Sequence, residues 1–174
     1  MATQKEIDLA RAVADAAASV RIIDAVTGLY SEAEQRIRQI GPICELSGRC
    51  CRFDDFGHRL YVTTAELATF VAMASRISVP SALTQQVDGS GCRFQQGKLC
   101  MVHQLRPMGC RMFYCDPRTQ QPLQTLFEQF HQKLKRLHED LDIPYYYLEW
   151  RTALDIIAPL LLMAPTRPGG CPTA

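Results

Sequence analysis

Residues 44–56, CELSGRCCRFDDF, bring Cys44, Cys50 and Cys51 into one short segment whose apolar positions follow neither a helical period nor a strand alternation. Gly48 adds the backbone freedom that a tight ligand-binding loop wants. The segment therefore reads as a loop built around thiols. A second segment, residues 92–117, CRFQQGKLCMVHQLRPMGCRMFYCDP, carries Cys92, Cys100, Cys110 and Cys115. Its Gly97, Pro107, Gly109 and Pro117 again argue for loop with brief regular pieces.

Working outward, the sequence predicts helix on both sides and between. Ile7, Ala10, Val13, Ala14, Ala17, Val20, Ile23, Val26 and Tyr30 recur three or four apart over residues 4 to about 40. A break is expected at Gly28, with Ser31 and Glu34 capping a second helix that stops at Gly41-Pro42. Residues 59–62 read as a short strand. Thr63, Thr64, Ala65 and Glu66 then start a helix running to about Arg76, with Pro80 ending any continuation. The turn-rich residues 87–91, VDGSG, lead into Cys92. Leu123, Leu126, Phe127, Phe130, Leu134, Leu137 and Leu141 mark an amphipathic helix with a Lys/Arg/His-rich outer face, closed by Ile143-Pro144. Another helix is expected from Tyr145 to about Ala158, with Tyr145, Tyr146, Tyr147 and Trp150 packing core and rim. The fold class is mainly α with small irregular and short-strand content, a helical scaffold around a cysteine-rich metal-binding lobe. The expected organisation is a single domain, 1–174: N-terminal helices over 1–42, the cysteine lobe over 43–118, C-terminal helices over 122–164 and a tail over 165–174.

The chain of 174 residues can bury a sizeable core without covalent staples. With 19 basic and 18 acidic side chains its formal charge is +1, so no long-range field draws it to nucleic acid or an anionic membrane. Charged residues interrupt the first twenty positions, which argues against a signal peptide, and the apolar run from Ile156 to Ala164 contains Pro159 and is too short to cross a bilayer. The expected location is the cytoplasm. Eight cysteines in such a setting point to metal ligation or redox chemistry rather than a disulfide scaffold.

The full thiol pattern is C-x5-C-C, then after forty residues C-x7-C-x9-C-x4-C, with a remote Cys171. Thiolate is a soft anionic ligand that suits zinc and iron–sulfur clusters. The spacing matches neither a pair of C-x2-C zinc knuckles nor the ferredoxin run. The candidate metal ligands are Cys44, Cys50, Cys51, Cys92, Cys100, Cys110 and Cys115, more than one four-ligand site holds. Adjacent Cys50 and Cys51 are expected to point in different directions, so that one ligates while the other packs or bridges. Cys115 can join the site or sit unligated in its turn, and Cys171 can fold back as a ligand or stay in a disordered tail. His103 can donate nitrogen or a hydrogen bond to a cluster sulfur, or simply pack nearby. Arg106 and Arg111 flank Cys110 and can offset thiolate charge, or bind a carboxylate or phosphate. His131 and His138 read as solvated, and Asp54 and Asp55 as turn acids.

These residues also resemble a known group. C44-x5-C50-C51, Glu66 in T-T-A-E-L, and C92-R-F-x5-C100-x2-H103-x2-R106-P107-x2-C110-R111-x-F113 resemble the YkgJ-like cysteine-cluster family, described as a zinc- or iron-chelating domain. The resemblance covers about residues 44–115, and the R-P-x-x-C-R-x-F string is its most specific part. This chain departs from the family in its sparser first cysteine arm and in carrying His103 where a tyrosine is usual, so Cys115 or Cys171 would replace a missing ligand. The resemblance implies a metal centre, and the family's kinship with a flagellin lysine methylase associated with an iron–sulfur cluster points to iron. The expectation is a cytoplasmic metal-binding protein holding an iron–sulfur cluster, 4Fe-4S first, for electron transfer or cluster-dependent chemistry. A structural zinc module that binds a protein partner, and a metal storage or delivery protein, are the alternatives. No phosphate loop, H-E-x-x-H or nucleophile elbow occurs, and whether the chain is an enzyme stays open.

Overall fold

A computed structural model describes residues 2–74 and 91–163. The described elements run, in order, α1 (Gln4–Ala17), α2 (Val20–Ile40), a 3-10 turn (Arg49–Cys51), the one-turn helix α3 (Phe53–Phe56), β1 (Tyr61–Thr63) and α4 (Thr64–Ala74). After the second thiol arm begins come the strands β2 (Gln95–Gln96) and β3 (Leu99–Cys100), a 3-10 turn (His103–Leu105) and α5 (Met108–Met112). A 3-10 turn (Pro117–Thr119) leads into α6 (Gln120–Asp140), β4 (Tyr147–Glu149) and α7 (Trp150–Met163). The fold is mainly α. Among the described residues no helix is long and apolar enough to cross a membrane.

The first two helices divide at Ala18-Ser19, and α2 runs unbroken through Gly28 and Ser31. Its buried stripe Ile22, Val26, Tyr30, Ala33 and Ile37 keeps helical spacing across both positions, so packing outweighs the expected break. A mid-helix glycine costs only about 1 kcal/mol relative to alanine, less than burying those side chains contributes. Gly41 ends α2 as expected, at φ 68°, with its N–H on the Ile37 carbonyl.

The centre of the molecule is α4, in which every residue from Thr64 to Val71 is buried. A helix buried on every face belongs inside a protein, and its few polar side chains must then find partners there. Leu67, Phe70 and Val71 face a core shared with Leu9, Val13, Phe53, Phe94, Trp150 and Leu154. Ala65 and Ala68 face a second core with Val26, Tyr30, Met108, Phe130 and Leu134. Each fully buried Leu or Phe contributes about 1.5–3 kcal/mol. Helices α1, α2 and α7 pack around α4, and α6 lies against α2 and α5. The expected end of α4 near Arg76, with Pro80 and most of 87–91, falls outside the described residues, as does the tail with Cys171.

Tyr147–Glu149, expected as the start of a helix, is instead β4, antiparallel to β1 with Val62 opposite Leu148. Thr64 N–H bonds the Tyr146 carbonyl and Trp150 N–H the Leu60 carbonyl, so backbone partners from β1 decide the matter. The three-tyrosine run also suits a strand. This pairing sets Trp150 beneath the second thiol arm. A small hairpin, Gln95 opposite Cys100 and Gln96 opposite Leu99, turns at Gly97 with φ 60° and carries Cys100.

Candidate metal centre

The two cysteine arms meet backbone to backbone. Cys92 N–H donates to the Cys51 carbonyl at 2.7 Å, and Gln95 Nε2 donates to the Gly48 carbonyl at 3.2 Å. Gly48 sits at φ 72°, and a β-carbon there would lie 2.7 Å from Gln95 Nε2 and 3.1 Å from Lys98 Cα. A β-carbon on Gly91 would lie 3.0 Å from the Cys51 carbonyl oxygen. Both contacts need glycine for closeness, and at Gly48 also for its left-handed backbone.

This meeting gathers the thiols of Cys50, Cys51, Cys92, Cys100 and Cys110 against one end of the first core. The 3-10 turn supplies the first two, the residue after Gly91 the third, β3 the fourth and α5 the fifth. Cys50 and Cys51, expected to diverge, have sulfurs 3.9 Å apart because the tight 3-10 turn after Gly48 swings both to one side. As placed, the sulfurs form a mutually interacting set. No three His, Cys, Asp or Glu side chains among the described residues stand ready around a single ion.

Cys51 is the hub of this set. Interactions with Cys100, Cys50 and Cys92, together with burial, push its thiol above the ordinary range. The same interactions favour the thiolate of each neighbour. Cys50 is lowered to about 6, first by Cys51 and then by Arg106 and nearby amides, against the opposing effect of burial. Cys100 falls to about 7 through Cys51, the Val102 amide and Arg106. Cys92 is lowered by Cys51, the Phe94 amide and the Trp150 indole. Cys110 is raised by burial and by the charges of Cys92 and Cys100. A bound cation would favour the thiolate at each of these neighbouring sulfurs.

The donor set fits a soft metal. Thiolate sulfur is the preferred ligand of iron–sulfur clusters and zinc, and N–H donors to sulfur are among the groups that tune such centres. Arg106 is the cation felt by Cys50, Cys100 and Cys110; its Nε is tied to the His103 carbonyl at 3.0 Å and its Nη1 reaches the Cys110 carbonyl at 3.4 Å.

The other expected site residues lie elsewhere. Cys44 is exposed, and Cys115 faces the Ser47 hydroxyl at 3.8 Å. His103 is exposed, and partial desolvation with the nearby Arg106 and Arg111 charges lowers its imidazole pKa. Arg111 turns away from the thiols: it donates to the carbonyls of Arg106 and Gln104, each at 2.6 Å, pairs with Glu34 and lies over the Tyr30 ring. Its work is to hold the chain around α5 against α2. Asp54 and Asp55 pair with Arg151 and Arg52.

Two neighbours of the site escaped the sequence reading. His58 stacks on Phe113 with ring centroids 4.2 Å apart, its Nε2 is 3.3 Å from the Cys50 carbonyl, and its buried Nδ1 has no partner among the described residues. Trp150, expected only to pack, also favours the thiolate of Cys92. A lone histidine seven residues beyond Cys51 carries no motif, and the tryptophan's role depends on strand pairing far along the chain.

Compared with protein-family models, characterised proteins and solved structures, the chain matches none of them.

Proposed function

We propose that this chain is a metal–thiolate protein in which Cys50, Cys51, Cys92, Cys100 and Cys110 furnish the ligands of an iron–sulfur cluster. A four-iron cluster needs four thiolates, so one of the five would serve as a neighbour. Such a cluster supplies one-electron redox chemistry, for electron transfer or for a cluster-dependent reaction. The observation carrying this reading is the meeting of thiols from two distant segments, where Cys51 first, then nearby amides, Trp150 and Arg106, favour anionic sulfur at Cys50, Cys92 and Cys100. The resemblance of residues 44–115 to a chelating cysteine-cluster family supports it.

The test is anaerobic purification followed by absorption and electron paramagnetic resonance spectroscopy with iron, sulfide and zinc analysis. The expected protein is brown and contains iron and acid-labile sulfide. Cys92→Ser and Cys100→Ser should lose most of the metal, whereas Cys44→Ser and Cys115→Ser should retain it. Stoichiometric zinc without labile sulfide would replace the cluster by a structural zinc site that shapes a partner-binding surface.

A further inference from the structure

Beside the thiols runs an open cleft of about 1100 Å³, between the Arg49–Tyr61 segment on one side and α5 and α6 on the other. His58 and Phe113 line it, and His58 reaches the Cys50 carbonyl, so one side chain touches both the cleft and the thiol arm. The cleft has a distinctive chemistry. Phe56, Tyr61, Phe113, Phe127 and Tyr147 give it aromatic walls, while Gln120, Gln121 and Gln124 add amide groups. Its cations are Arg49 and Arg59, and neither is paired with a carboxylate among the described residues. Arg49 rests over the Phe56 ring at 5.1 Å. Among the described residues Glu128 is the sole lining carboxylate, and it accepts from Gln124 Nε2 at 3.0 Å.

We propose that this cleft binds a planar aromatic anion, its ring against the aromatic walls and its phosphate or carboxylate group at Arg49 and Arg59. Aromatic faces hold flat rings, and guanidinium is the side chain best shaped for a phosphate or carboxylate. The volume lies just above the usual range of small-molecule sites, about 300–1000 Å³, and leaves room for a multi-ring ligand. The site goes beyond the metal-centre reading and does not depend on it.

The probes are flavin mononucleotide and the smaller naphthyl phosphate, compared with uncharged riboflavin and with inorganic phosphate, by calorimetry on full-length protein. Flavin mononucleotide should bind saturably, at least about tenfold tighter than riboflavin. Arg59→Ala should weaken it by about tenfold, and Gln121→Glu, which adds an opposing charge to the wall, should also weaken it. Both variants should keep the parent's helical circular dichroism. Equal affinity for riboflavin and its phosphate, or unchanged affinity in both variants, would overturn the proposal. So would the absence of saturable binding of both phosphate probes up to about 1 mM. Metal and sulfide measured on the same samples separate the two readings: ligand binding without metal sustains the cleft and removes the cluster, and metal without ligand binding does the reverse.

Discussion

Glu66 has a carboxylate wholly committed inside the protein. It accepts from Thr63 N–H and Thr63 Oγ1 at 2.9 Å, from Met108 N–H at 2.7 Å and from the Tyr30 hydroxyl at 3.4 Å. Burial raises its pKa while those donors oppose the shift. With Glu66 N–H on Thr63 Oγ1 at 3.4 Å, the two residues form a capping box at the expected helix start, and the same Glu66 side chain also ties α2 and α5 to the start of α4. His138, read from its helix as solvated, is 2% exposed. Its Nδ1 faces the Leu134 carbonyl at 2.7 Å and its Nε2 accepts from Ala65 N–H at 3.2 Å, satisfying a free donor at the start of α4. Burial lowers its pKa. The unfolded chain then takes up the proton first as pH falls, so the stability this histidine contributes is complete above about 6.5 and is lost on acidification below it. Urea denaturation at about pH 7.5 and about pH 5 should show a larger loss in the parent than in His138→Gln. Parallel losses in the two proteins would remove this role from His138.

At the scale of elements, the join between the 3-10 turn and the β2–β3 hairpin depends on Gly48. Gly48→Ala must place a β-carbon against Gln95 and Lys98 at a positive φ, so it should cost about 1–3 kcal/mol and separate the arms that carry Cys50 and Cys92. Metal content after anaerobic reconstitution checks this: a variant with parental iron and sulfide would show that the arms meet without that contact. The amphipathic periods made the helical stretches of α1, α2 and α6 legible in the sequence but not the division at Ala18-Ser19, and Thr63 with Glu66 marked the start of α4. β4 was not legible, because a three-residue strand is fixed by the distant backbone it pairs with. Gly28 misled for the opposite reason, since a local breaker is outweighed when its neighbours are buried on one helical face.

For the molecule as a whole, Cys51 and Cys92 belong to the first core and Cys50, Cys100 and Cys110 pack against it, whereas the second core contains no cysteine among the described residues. Metal removal should therefore act unevenly. Under an iron chelator, hydrogen exchange should quicken at the amides of Cys51, Cys92 and Met101, whose bonds join and shape the thiol arms. The interiors of α2 and α6 should remain protected. Uniform loss of protection would mean that the cores unfold together, and no change would mean that the thiol arms hold without metal.

The sequence by itself determined the helical class, the two thiol-bearing arms and the residue types from which soft-metal ligation is proposed, because periodicity and ligand chemistry are local properties. Only the tertiary structure decided which thiols meet. It gathered Cys50, Cys51, Cys92, Cys100 and Cys110, left Cys44 exposed and Cys115 facing Ser47, assigned Arg106 to the thiols and turned Arg111 to Glu34. Spacing along a loop does not fix direction in space. Here the direction came from two glycine contacts, the β1–β4 pairing and the burial of α4.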